Sequence, residues 1–195
     1  MVNDNILIES VRGIERINIS DHFLSERKVF LTDTVTPESS ISLIEKMMYL
    51  DDTGPGKEIV FYINSPGGEV TSGLALYDVI KNLKSPVTTV CIGTAASMGA
   101  ILFLSGTKRI MYPHTMLMIH DPSYHSADIS GLKPHEIQKY VDSLKKTRDS
   151  LTDIIAGCCI RNRKEIEKLT REDSYFTAEE AVESGLATEI ITYAK

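Results

Sequence analysis

The chain has little that would mark it as secreted, membrane-spanning or nucleic-acid-binding. Its 195 residues include only three cysteines, Cys91, Cys158 and Cys159. Adjacent cysteines rarely bridge, and Cys91 stands in an apolar run where a thiol behaves as a small hydrophobe, so no disulfide framework is available. That usage fits a reducing compartment. Basic residues are outnumbered, with 21 Lys and Arg against 27 Asp and Glu and a formal charge of −6. No basic run appears, which argues against a nucleic-acid partner. No segment approaches the roughly 20 apolar residues that a membrane helix requires. The first ten residues carry acid where a secretion signal carries base, so the expected location is the cytoplasm. There is no Pro- or Gly-rich linker, internal repeat or low-complexity stretch. The expectation is therefore one α/β domain over residues 1–195, long enough for a packed core and a protruding element.

Two kinds of ligand site are also missing. His22, His114, His125 and His135 show no ligand spacing with cysteine or acidic residues, so no metal is expected and solvated or structural roles suit them. His125 follows His120 closely enough to reach the same cleft. Gly54-Pro-Gly-Lys57 lacks the spacing of a phosphate loop and reads as a turn between a helix and a strand. No cofactor is expected.

What is present is an alternation of β-rich runs and amphipathic stretches. Residues 27–31, 59–63, 86–92, 109–112 and 116–120 read as strands. Thr36 caps a helix with Pro37 at its first position, and Ile41, Ile44, Met47 and Met48 are its expected buried stripe. A helix over about 70–83 aligns Val70, Leu74, Tyr77 and Ile80 on one face. Thr177-Ala-Glu-Glu180 is a capping box, and Gly185 ends the helix it opens. Such alternation implies a mostly parallel sheet flanked by helices. Pro134–Cys158 breaks the rhythm, with Ile137, Val141, Leu144, Leu151, Ile155 and Cys158 recurring at steps of three and four. This predicts one helix of about 25 residues and roughly 37 Å. It either crosses the body of the fold or leaves it to meet the same helix of another copy.

The stretch Gly93-Thr-Ala-Ala-Ser97-Met98-Gly99-Ala100 carries the chemistry. An apolar strand precedes it and an apolar helix follows, which puts Ser97 at a strand-to-helix junction. Free N–H groups and the positive dipole end at such a junction stabilise an oxyanion forming beside the hydroxyl. Read alone, Ser97 is either a helix N-cap or a nucleophile. A serine nucleophile needs a base, and the base needs an acceptor that fixes its tautomer. His120 ends an apolar strand just before Asp121-Pro122, and Asp173 lies far downstream before a capped helix. Asp121 is a poor orienting carboxylate, because consecutive strand side chains point to opposite faces. The Gly-x-Ser-x-Gly elbow pattern is not met, since Ala95 stands at its first glycine. Lys84 or Lys108 offers a Ser–Lys dyad, a weaker match than His120 with Asp173.

Together with Phe61-Tyr-Ile-Asn-Ser-Pro-Gly-Gly68, Gly73-Leu-Ala-Leu-Tyr-Asp78, Met118-Ile-His120 and Thr177-Ala-Glu-Glu-Ala-Val-Glu-Ser-Gly-Leu186, these segments resemble the ClpP family, the proteolytic subunits of ATP-dependent Clp proteases. The resemblance implies an α/β fold, the ClpP/crotonase-like spiral of β-β-α units. Residues 1–20 would be an N-terminal segment or axial loop, and 121–160 a handle region whose long helix protrudes. It implies a serine endopeptidase with Ser97 as nucleophile, His120 as general base, Asp173 as its orienting acid, and the Gly68 and Met98 N–H groups as oxyanion hole. Implied partners are unfolded polypeptide substrates, an AAA+ unfoldase of the ClpX, ClpA or ClpC type that consumes the ATP, and further copies in heptameric rings stacked as a tetradecamer. A second paralogue in those rings is a further implied partner. Val60, Tyr62, Ile92, Ile110 and Tyr112 would form an outer apolar pocket for the ATPase, or alternatively belong to the sheet-edge core.

The match weakens after His120. Residues 121–134 carry only Gly131 where the family has a Gly-rich strand, Ser123 and Tyr124 stand at glycine positions, and Pro134 removes a main-chain donor. The connection Gly106-Thr-Lys-Arg109 is short. These departures suggest a divergent paralogue. Two other readings stay open: a weakly active or non-catalytic ring subunit that regulates a second paralogue, and an acyl-CoA enzyme of the crotonase type.

Overall fold

Short β-branched runs separated by amphipathic helices tend to pair in parallel, because a helical crossover returns the chain to the same end of the sheet. A computed structural model of the chain describes residues 4–10, 13–123 and 130–192. Its main sheet runs in the order β3 (Lys28–Leu31), β4 (Ile59–Ser65), β5 (Val87–Ala96), β6 (Lys108–Met111) and β9 (Glu189–Ile190), all parallel. A separate antiparallel pair, β1 (Asn5–Ser10) and β2 (Gly13–Asn18), precedes it, followed by α1 (Ile19–Ser25).

The decisive strand is β5. Its first half pairs β6 from Thr88 to Cys91, and its second half pairs β7 (Met116–Ile119) from Thr94 to Ala96. β7 in turn pairs antiparallel with β8 (Ser174–Thr177). The strand was expected to stop before Gly93 but runs on to Ala96. Asn64 makes this possible: its Oδ1 accepts the Thr94 N–H at 3.0 Å where the β4–β5 register shifts. One strand thus feeds two sheet branches and ends at Ser97.

The helices cover the sheet. α2 (Pro37–Thr53) opens with the expected Thr36 cap, closed reciprocally by Ser39, and Pro37 at its start. Its buried face is Ser40, Leu43, Met47 and Leu50; of the expected stripe Met47 is buried and Ile44 packs at the edge of the core, while Ile41 and Met48 are each about half exposed. The buried face is rotated from the expected one about the shared Met47, and packing against the sheet set that rotation. α3 (Val70–Asn82) buries Gly73, Leu76 and Ile80, with Val70, Leu74 and Tyr77 packed at the edge of the core. α4 (Met98–Leu104) is buried along its whole length.

The long helix α5 occupies Pro134–Cys158, as its periodicity predicts. Only Leu151, Thr152 and Ile155 are buried, all in its last third, and Tyr140 and Val141 stay exposed. The helix leaves the body rather than crossing it. Pro134 sits in its first turn, where the missing N–H has no partner to lose, so the expected loss of a donor does not arise. The short helices α6 (Arg163–Leu169) and α7 (Ala178–Glu183) each carry a capping box, the second at Thr177 and Glu180 as expected. Gly185 follows α7 with φ of 78°. Buried side chains from these elements form one contiguous core.

Candidate active site

Ser97 is the cap residue of α4, yet its side chain makes no capping bond. Its N–H still belongs to the sheet, donating to Met118 O at 2.9 Å, while its carbonyl already accepts from Ala100 and Ile101. Turning from strand to helix within one residue forces φ to 53° and ψ to −122°. That is a conformation worth roughly 1–3 kcal/mol of strain in a non-glycine residue. The result is a sharp elbow with Ala95 at the first glycine position of the Gly-x-Ser-x-Gly pattern and Gly99 at the second, where a Cβ would lie 2.9 Å from Ser65 O. The hydroxyl points to His120: Ser97 Oγ lies 2.9 Å from His120 Nε2. The other ring nitrogen, Nδ1, lies 3.3 Å from Asp173 Oδ1. A proton on Nδ1 leaves Nε2 free to accept from the serine hydroxyl.

The three side chains come from three different places. Ser97 immediately follows β5, His120 immediately follows β7, and Asp173 immediately precedes β8. The β5–β7 and β7–β8 pairings bring these strand ends to one edge. The His120 side chain is 26% exposed and that of Asp173 57%, so the carboxylate sits at the rim of the site.

The turn Ser65-Pro66-Gly67-Gly68 packs directly on this elbow. A Cβ at Gly67 would lie 2.6 Å from Ser97 Cβ, 2.7 Å from Ala96 O and 2.9 Å from Met98 N, and the backbone there has φ of 95°. Val35 donates to Gly67 O and accepts from Glu69 N, both at 2.8 Å. In that parallel bridge the N–H of Gly68 turns away from Val35. Met98, as the first residue of α4, has no carbonyl in its own helix to bond. Both N–H groups expected to hold an oxyanion therefore belong to the two segments flanking Ser97.

Sequence reasoning missed the walls of the site. An apolar slot lined by Val70, Ile101, Ile119, Leu151 and Ile155 opens beside Ser97 and His120. The Leu151–Ile155 step on the long helix was the available signal. A larger groove of about 830 Å³ runs past Gly68 and Pro122 between α3 and the outer part of α5. Ser123 lines it; Tyr124 and His125 lie outside the described residues.

The remaining candidates sit elsewhere. Lys108 pairs with Glu189 at 2.8 Å at the far end of β5, and Lys84 follows α3, so neither approaches Ser97. His22 pairs with Glu26, and His135 lies exposed in the first turn of α5. Among the described residues, no three His, Cys, Asp or Glu side chains form a metal cluster. No helix among them is long and apolar enough to cross a membrane. All three cysteines are free, and burial pushes the thiols of Cys91 and Cys159 up. Tyr62 stacks on Phe30 at 4.8 Å, with Ile92 on β5 and Tyr112 just past β6 both exposed.

Comparison with known proteins shows the family of the chain. Residues 11–194 match the model of a family described as Clp protease. An ATP-dependent Clp protease proteolytic subunit 1 from Protochlamydia amoebophila (strain UWE25) is 41% identical over 175 residues, covering 89% of this chain and 84% of that protein.

Proposed function

Since this chain belongs to the Clp protease family, a family of peptidases, we propose that it is a serine endopeptidase, the proteolytic subunit of an ATP-dependent protease. The observation that carries this reading is the contact of Ser97 Oγ with His120 Nε2 on a strained strand-to-helix turn, with Asp173 behind the imidazole. In the proposed mechanism His120 takes the Ser97 proton as Oγ attacks the scissile carbonyl. Asp173 stabilises the imidazolium that forms. The N–H groups of Gly68 and Met98 receive the oxyanion, and His120 returns the proton to the leaving amine. Water, activated by the same imidazole, then releases the acyl group from Ser97. The apolar slot beside the serine holds only about 20 Å³, so it admits no more than a small apolar group next to the bond that is cut.

The sites would be enclosed in stacked rings of this chain, alone or with a second paralogue. The helix α5, exposed along its outer two thirds, and the exposed Ile41, Met48 and Tyr49 on α2 offer surface for such contacts. An AAA+ unfoldase would supply unfolded polypeptide and consume the ATP, docking on the face that carries Val60, Tyr62, Ile92, Ile110 and Tyr112. The free cysteines favour a cytoplasmic setting.

The test is fluorophosphonate labelling of the native protein with peptide mass mapping. A single adduct on Ser97, absent in Ser97→Ala, is the expected outcome. Labelling that survives Ser97→Ala would overturn the assignment.

A further inference from the structure

The apolar slot beside Ser97 is walled by side chains from α4, β7 and α5 that also build the core. Ile101 stands one helical turn beyond Ser97, Ile119 immediately precedes His120, and Leu151 and Ile155 lie one turn apart where α5 enters the body. Their exposures are 3%, 1%, 7% and 2%, and all belong to the contiguous core. Close-packed interiors resist expansion, so these walls hold their positions when a side chain enters.

The space they leave among the described residues is about 20 Å³. A single buried water needs roughly 10–15 Å³, so the slot suits a methyl group and not a branched leucine side chain. The groove that adjoins it past Val70 and Pro122 holds about 830 Å³, ample for an extended polypeptide. Side chains are therefore sorted in the tight space and not in the wide one. Acyl transfer decides which side chain meets it. On the peptidase reading the carbonyl carbon joins Ser97 Oγ and turns its oxygen to the Met98 N–H, and Met98 and Ile101 line the slot from that same helix. The side chain next to that carbonyl, on the acyl side of the bond, is the one that reaches the slot. The leaving amine departs with the proton from His120.

We propose that this site cleaves after alanine and residues of similar size, and that Leu151 is the residue that sets the limit. Leu151 is the most exposed of these walls and the first buried residue of α5, so truncating it opens the slot toward the outer helix rather than hollowing the core. Discrimination of this kind, by one or a few extra carbons, amounts to about 10–200-fold for each methylene. The inference rests on the peptidase reading and deepens it by naming the class of bond that is cut.

The test uses the full chain and short peptides that differ only in the residue before a fluorogenic amine: alanine, valine, leucine or phenylalanine. In the unsubstituted protein kcat/KM is expected to be about 100-fold higher for alanine than for leucine or phenylalanine. In Leu151→Ala the ratio of leucine to alanine turnover is expected to rise about tenfold or more, and a merely structural loss of activity would leave that ratio unmoved. Leu151→Val removes less and should shift the ratio in the same direction, which keeps the test open where the alanine variant fails to fold. A leucine or phenylalanine peptide cleaved as well as the alanine one would overturn the proposal and leave the peptidase reading standing. An unshifted ratio in the Leu151 variants would overturn the role given to that residue. Absence of turnover on every peptide would overturn the proposal, and fluorophosphonate labelling of Ser97 then decides whether the peptidase reading falls with it.

Discussion

Gly67→Ala is the sharpest perturbation of the site that touches none of its reacting atoms. The substitution adds one methyl group in a backbone at φ of 95°, against Ser97 Cβ at 2.6 Å, Ala96 O at 2.7 Å and Met98 N at 2.9 Å. Two of these are main-chain atoms of the elbow and cannot swing aside. The left-handed φ costs an alanine roughly 1–3 kcal/mol, and overpacking a rigid contact adds about 1–3 kcal/mol. Gly56 supplies the calibration, because its φ is 78° but a Cβ there meets nothing within 4 Å. Gly56→Ala should therefore show the backbone cost alone, about 1–2 kcal/mol. Urea unfolding should place Gly67→Ala about 2 kcal/mol below Gly56→Ala, the difference being the clash. A displacement of Ser97 by a fraction of an ångström should also slow peptide hydrolysis by about 100-fold, with Gly56→Ala unaffected. Equal stability of the two variants, with full turnover in both, would refute the argument that the Ser65–Gly68 turn and the elbow are in hard contact.

Two further outcomes follow from single side chains that tie distant segments together. Arg109 donates to the carbonyls of Gly106, Cys158, Gly185 and Leu186, joining the ends of α4, α5 and α7. Arg109→Lys keeps the charge but loses the planar fork, and should cost about 3 kcal/mol, read as a fall of roughly 6–12 °C in melting temperature; an unchanged melting temperature would show that water replaces those bonds freely. Asp51 accepts from the N–H groups of Ser85 and Lys84 at 2.8 and 3.2 Å, and its bonds to Ser85, then Lys84, hold its carboxyl below the ordinary value of 3.8. A carboxylate depressed in the folded state adds stability above that value and loses it as pH falls through the lowered one. Asp51→Asn should therefore destabilise at neutral pH and lose less on acidification than the unsubstituted chain; parallel pH–stability curves would contradict this.

Some of the molecule was legible because the signals are local. Thr36-Pro37, Thr177 with Glu180, and Gly185 mark helix ends by hydrogen bonds that span only a few residues. The bounds of α5 follow from Pro134 and an unbroken periodicity. The errors arose where two local answers were equally good. On α2 the expected stripe of Ile41, Ile44, Met47 and Met48 shares Met47 with the observed face of Leu43, Met47 and Leu50, and only contact with the sheet decides that Leu43 and Leu50 rather than Ile41 and Met48 join it. Gly93 looked like a strand end because nothing near it in sequence announces that Asn64, a neighbour through β4, would carry the strand past it.

The sequence by itself determined the α/β alternation, the caps, the long helix and the residue types able to do acyl transfer, because each depends on periodicity or on bonds within a few positions. It also carried the family, through motifs kept in order along nearly the whole chain. Only the tertiary structure decided that Ser97, His120 and Asp173 meet, since that depends on β5 dividing its hydrogen bonds between β6 and β7 and on β8 pairing with β7. It alone decided the strain at Ser97 and the size of the slot beside it, which exist because segments far apart in the chain were brought to one edge of the sheet.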